Sequence, residues 1–149
     1  MLSFSLLGQV VLSLDGVPLS QFRSQKEAAL LIYLAHTGQT HSRDFLADLL
    51  WESSSTKQSL SNLRTILSRL RKQVGDGLVV TQKTVALTPE NQQDVDSLRL
   101  VQTLTNLGPV DSDAAATALH TTLATYQGEF LAHFSLPDAP QFNAWATQT

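Results

Sequence analysis

The chain of 149 residues contains no cysteine. That excludes disulfides, thiolate catalysis and cysteine-ligated zinc, and it suits a reducing compartment. No apolar run approaches the roughly 18 residues that a membrane-spanning helix needs. The N-terminal stretch MLSFSLLGQVVLSL is apolar, but it has no basic leader and no small-residue cleavage site. It alternates as a strand does, so it reads as structure and not as a signal peptide. The four histidines, His36, His41, His120 and His133, show neither HxH nor HExxH spacing, which argues against a metal site. The carboxylates are scattered. Asp94 and Asp96 read as a helix cap, Ser53 to Ser55 as a loop and cap, and Gly75-Asp76-Gly77 as a turn rather than a phosphate-binding loop. The expected class is therefore not an enzyme, with no metal, no cofactor and no membrane partner, in the cytoplasm.

Charge is low and unevenly placed. The formal net charge is −3 and the pI near 5.7, which taken alone points away from nucleic acid. Up to Thr88, however, nine cations face six carboxylates, whereas from Pro89 onward one cation faces seven. Between Lys57 and Lys83 the cations Lys57, Arg64, Arg69, Arg71, Lys72 and Lys83 stand against Asp76 alone. This division predicts a basic binding module, residues 1–92, followed by an acidic one, residues 93–149.

The segment from Lys57 to Lys83 reads as one helix and a hairpin. Leu60, Leu63, Leu67, Leu70 and Val74 recur at helical spacing and form an apolar stripe. At about 100° per residue, Gln58, Ser61, Asn62, Thr65, Arg69 and Lys72 share the opposite face, to which the helix itself contributes no carboxylate. Hydroxyl, amide and guanidinium groups on one helix face have the chemistry to read base edges in a major groove. The same pattern also suits an amphipathic surface helix with a solvated polar side.

Upstream, alternation through Phe4, Leu6, Val10, Leu12 and Leu14, with a turn at Asp15-Gly16, predicts a small antiparallel sheet. Ser24 and Glu27 form a capping box for a helix that runs to about Thr37 and stops at Gly38. Ser42 caps a second helix, whose buried face is expected to hold Phe45, Leu46, Leu49 and Leu50. After the long helix, Leu78 to Thr81 and Thr84 to Leu87 predict two strands with Gln82 and Lys83 at the tip. The order is that of a winged helix, the hairpin being the wing. Beyond the polar joint PENQQ at Pro89 to Gln93, the spacing predicts helices through Val95–Leu107 and Ala114–Tyr126. A third begins near Phe142 and Trp145. Two helices and a stub bury little, so the chain is expected to continue past Thr149. An apolar patch of Leu119, Leu123, Tyr126, Phe142 and Trp145 should self-associate or fold back on the winged helix.

Four strings in this order resemble the Streptomyces antibiotic regulatory proteins: SQKEAALL from Ser24, SRDFLADLLW from Ser42, LRTILSRLRK from Leu63, and YQGEFLAHFSLPDAPQFNAW from Tyr126. These regulators join an OmpR/PhoB-type winged helix to a bacterial transcriptional activator domain of tetratricopeptide-like helices. The resemblance covers nearly the whole chain. It implies an α+β fold: a winged helix-turn-helix with an N-terminal antiparallel sheet and a C-terminal wing, then the start of an all-α, tetratricopeptide-like domain. It further implies that Thr65, Ser68, Arg69 and Lys72 face the groove, with Arg64 and Arg71 towards phosphates. The loop after Trp51 corresponds to the segment that can touch RNA polymerase in such proteins. The wing departs from the pattern, with Thr84-Val85-Ala86 where a Gly-Tyr pair is usual, which implies a shorter or differently shaped wing.

The expected function is thus a sequence-specific DNA-binding transcriptional activator, nucleoid-associated, acting on double-stranded promoter DNA as two protomers on direct repeats. Helix 57–74 would lie in the major groove. The DNA-contacting set is Lys57, Gln58, Ser61, Asn62, Arg64, Thr65, Ser68, Arg69, Arg71, Lys72 and Lys83. From a different class, a protein-interaction module with a winged helix that no longer binds DNA fits the negative net charge.

Overall fold

Residues 2–7, 10–19, 22–89, 95–98, 100–101, 130–131, 134–137 and 139–148 are described in a computed structural model of the chain. The first strands follow the alternation. In β1 (Leu2–Ser5) the side chains of Leu2 and Phe4 are buried and alternate with the half-buried Ser3 and Ser5. β2 (Val11–Leu14) pairs antiparallel with β1, and β3 (Val17–Pro18) with β2. Asp15 (φ 52°) and Gly16 (φ 85°) both take positive φ, the pair of conformations that a two-residue hairpin of this twist requires.

Helix α1 (Gln25–Thr37) is apolar nearly all round, and every residue from Glu27 to Ala35 is buried, so it forms the centre of the molecule. Ser24 caps it by accepting from Lys26 N–H. The expected capping box is displaced by one residue: the Glu27 carboxylate accepts from Arg23 N–H at 3.2 Å. Gly38, at φ 64°, ends the helix and donates to Leu34 O. Helix α2 (Arg43–Leu50) is capped by the Ser42 hydroxyl, which accepts from Phe45 N–H. Its buried residues are Leu46, Ala47, Leu49 and Leu50. Phe45, expected among them, is instead 44% exposed and stacks on the His41 ring (5.6 Å, 20°).

Ser55 caps α3 (Thr56–Val74) by accepting from Gln58 N–H. A 3-10 turn at Gly75–Gly77 leads to β5 (Leu78–Val80) and then β6 (Thr84–Leu87), close to the expected wing. The two-residue strand β4 (His41–Ser42) has no counterpart in the sequence expectations. It pairs with β6, His41 opposite Val85, so the wing is the far side of a three-stranded sheet in the order β4-β6-β5. Arg43 N–H donates to Lys83 O at 2.8 Å and carries that pairing to the wing tip.

Residues on both sides of the 92/93 division share one core. Val95 bridges Phe4 in parallel, Phe130 bridges Leu7 antiparallel, and Leu131 N–H donates to Leu6 O. Asp96, 7% exposed, accepts from Leu6 N–H at 2.7 Å and Leu7 N–H at 3.3 Å. Helix α4 (Pro140–Gln148) buries Phe142 completely, and the Asn143 amide accepts from Leu136 N–H and donates to Leu136 O, closing the turn before it. Trp145 meets Tyr33 of α1 edge-on at 4.7 Å. Of the expected apolar patch, Phe142 and Trp145 therefore pack back on the winged helix. Leu119, Leu123 and Tyr126, with most of the two helices expected between 95 and 126, lie outside the described residues.

Candidate nucleic-acid interface

Helix α3 runs against α2 along its apolar side, burying Leu63, Ile66, Leu67, Leu70 and Val74 together with Ser59. Leu60, assigned to that stripe from spacing, is only half-buried, and Ile66 takes its place. Lys57, Gln58, Ser61, Arg64, Thr65, Ser68, Arg71 and Lys72 are exposed. Asn62 and Arg69 are half-buried. The helix thus brings ten of the eleven predicted DNA-contacting residues onto one element, and leaves Lys83 alone on the wing.

Two local interactions order this surface. Gln58 donates through Nε2 to Asn62 Oδ1 at 2.9 Å, an i, i+4 pair that fixes two amides one turn apart. Thr65 Oγ1 donates to Ser61 O, which sets its rotamer. At the wing tip the Thr81 hydroxyl accepts from the N–H groups of Lys83 and Thr84, while Thr81 N–H donates to Thr84 O. Gln82 and Lys83 therefore form a tight two-residue turn, with Lys83 exposed at its end.

The geometry of Arg69 could not be read from the helix alone. Its Nη1 lies 3.3 Å from Oε1 of Glu27, a carboxylate with no solvent exposure. Glu27 comes from α1, 42 residues earlier, and its other oxygen holds the Arg23 amide. Between the start of α1 and the C-terminal half of α3 lies an open cavity of about 600 Å³. Arg23 and Glu27 line one side of it, and Arg64, Thr65, Ser68, Arg69 and Lys72 the other. Arg23 and Glu27 carried no sequence signal for this role, since the capping-box pattern explained Glu27 locally and nothing marked Arg23. Among the described residues, Lys57, Arg64, Arg71, Lys72 and Lys83 form no ion pair.

The histidines fill structural places. His36 Nδ1 is 2.7 Å from Ser97 Oγ, and His41 Nε2 is 2.8 Å from Thr37 Oγ1. Burial lowers the pKa of both imidazoles from the ordinary value; for His36 the nearby Asp96 charge opposes that shift in part. Among the described residues no group of three or more His, Asp or Glu side chains could hold a metal ion, and no helix is long and apolar enough to cross a membrane. His120 and His133 lie outside the described residues.

No family model matches the chain. Over 81 residues, 54% of its length, it is 36% identical to the regulatory protein AfsR of Streptomyces coelicolor, and that stretch is 8% of AfsR. Its fold matches EmbR of Mycobacterium tuberculosis, solved in complex with a low-affinity phosphopeptide, with a TM-score of 0.74 and 24% identity. That match covers 99% of this chain and 41% of EmbR. The chain therefore spans less than half of either relative. The first match bears out the resemblance to the Streptomyces antibiotic regulatory proteins, and the second bears out the winged-helix α+β architecture.

Proposed function

We propose that this chain is the DNA-binding part of a transcriptional activator, with α3 seated in the major groove of promoter DNA. The observation that carries the reading is the exposed side of α3. It offers hydroxyl, amide and basic groups, while the opposite side is locked into the core. The groups divide by chemistry. Lys57, Arg64, Arg71 and Lys72, with Lys83 on the wing, suit phosphates, which fix register but carry no sequence. Gln58, Ser61, Asn62, Thr65 and Ser68 suit base edges. Arg69 has a guanidinium end on Glu27, so its part is to hold α3 in place. Similarity to a regulatory protein supports the coarse role.

The finer parts of the reading are two protomers side by side on direct repeats, and an approach to RNA polymerase through the exposed loop Glu52 to Ser55. Selection of duplexes from a random pool tests the central part. The chain should enrich a defined sequence. Asn62→Ala with Thr65→Ala should relax that preference at specific positions, with a cost of about 1–3 kcal/mol for each base edge no longer read. Failure to enrich any sequence would favour the protein-interaction reading, which the net charge of −3 supports.

A further inference from the structure

We infer that the cavity between the start of α1 and the C-terminal half of α3 is a seat for a DNA backbone phosphate, with Arg23 as an anchor supplied from outside the recognition helix. This rests on the DNA-binding reading of α3 and extends its footprint to a second element. Four cationic residues, Arg23, Arg64, Arg69 and Lys72, line it against one carboxylate, Glu27, with Thr65 and Ser68 also in the lining. Glu27 is buried at the back of that group and is already engaged on both oxygens, one by Arg69 and one by the Arg23 amide. It neutralises Arg69 and leaves the charges of Arg23, Arg64 and Lys72 to the cavity mouth.

The same carboxylate fixes where Arg23 starts. The bond from Arg23 N–H to Glu27 Oε2 pins the backbone just ahead of the Ser24 cap, so the exposed Arg23 side chain leaves from a fixed point at the edge of the cavity. An arginine whose backbone is fixed in this way loses less conformational freedom on meeting a phosphate than one on a loose loop. A duplex lying along α3 presents phosphates in a row on each side of the groove. A concave, cation-lined notch beside the helix is matched to one of them.

The test is a salt titration of the full chain on its pool-selected duplex and on a scrambled duplex, followed by fluorescence anisotropy. Arg23→Ala should weaken binding to both about three- to tenfold and reduce the log–log salt slope by about 0.9. Arg23→Lys should restore the slope, and the thermal midpoint should be unchanged in both variants. An unchanged slope in Arg23→Ala, with the parent still binding in a salt-dependent way, would overturn the seat alone. No binding by the parent would overturn the DNA reading and the seat with it. Inorganic phosphate, added without DNA, should not saturably raise the thermal midpoint. If it does, and Arg23→Ala abolishes the effect, the cavity holds a free anion and the assignment to DNA falls.

Discussion

Arg69 on α3 and Glu27 on α1 meet at 3.3 Å, and Glu27 has no exposure at all. The ion pair joins the helix assigned to DNA with the helix at the centre of the core. Removal of the arginine leaves a buried carboxylate held by one backbone amide. Arg69→Ala should lower stability by about 1–3 kcal/mol, nearer the lower end because the guanidinium itself is partly exposed. In urea unfolding, Arg69→Ala and Glu27→Ala combined should cost less than the two costs added. On DNA, Arg69→Ala should weaken selected and scrambled duplexes alike. A loss confined to the selected duplex would make Arg69 a reader of guanine and not a brace.

Phe142 makes α4 part of the same fold. It is fully buried, lies 5.4 Å from Trp145, and belongs to the cluster that holds α1. Phe142→Ala should destabilise the chain by about 3–5 kcal/mol, and the whole chain should unfold in a single urea transition. Two separated transitions, with the variant affecting only one, would show that residues beyond 92 fold by themselves.

Acid should loosen the molecule through His36 and His41. Burial holds both folded pKa values below the ordinary 6.5. The unfolded chain therefore takes up protons at a higher pH than the folded chain does. Stability is complete above the ordinary range and falls as the pH drops through about 6.5 towards the folded values. Urea midpoints at about pH 7.5 and about pH 5.5 should differ in the parent. The difference should shrink in the double variant His36→Gln, His41→Gln. An equal difference in both proteins would place the sensitivity elsewhere.

Local signals reveal the helices, whereas the unexpected features come from long-range packing. Ser24, Ser42 and Ser55 as caps and Gly38 and Gly75 as stops lie within one turn of what they control, so α1, α2 and α3 were legible. β4 has two residues, His41 and Ser42, and too short a pattern to show by itself; it exists because β6 lies beside it. Phe45 has the apolar character of a core residue, yet α2 is only eight residues long and its packed face is set by Leu46, Leu49 and Leu50. Asp96 reads as a cap in the sequence. The fold also gives it Leu6 and Leu7, about 90 positions away, as donors. The candidate site divides in the same way. The exposed face of α3 follows from its periodicity, whereas Glu27 and Arg23 enter only through tertiary packing.

The wing gives a separate check on which cations anchor. Lys83 sits at the end of a closed two-residue turn, tied to α2 through the Arg43 N–H. Lys83→Ala should weaken selected and scrambled duplexes equally and lower the salt slope by about one. An unchanged slope would mean that the wing stays clear of the phosphates.

Under the proposed function, an acidic chain binds DNA through one basic face. The most direct test is the dependence of duplex affinity on salt for the whole chain. A few phosphate contacts from α3 and the wing predict a log–log slope of roughly −3 to −5 per protomer, at about 0.9 for each phosphate neutralised. That slope should shrink when Arg64 and Lys72 are replaced by alanine. A flat response, or a slope that these replacements leave untouched, would rule out DNA binding through that face.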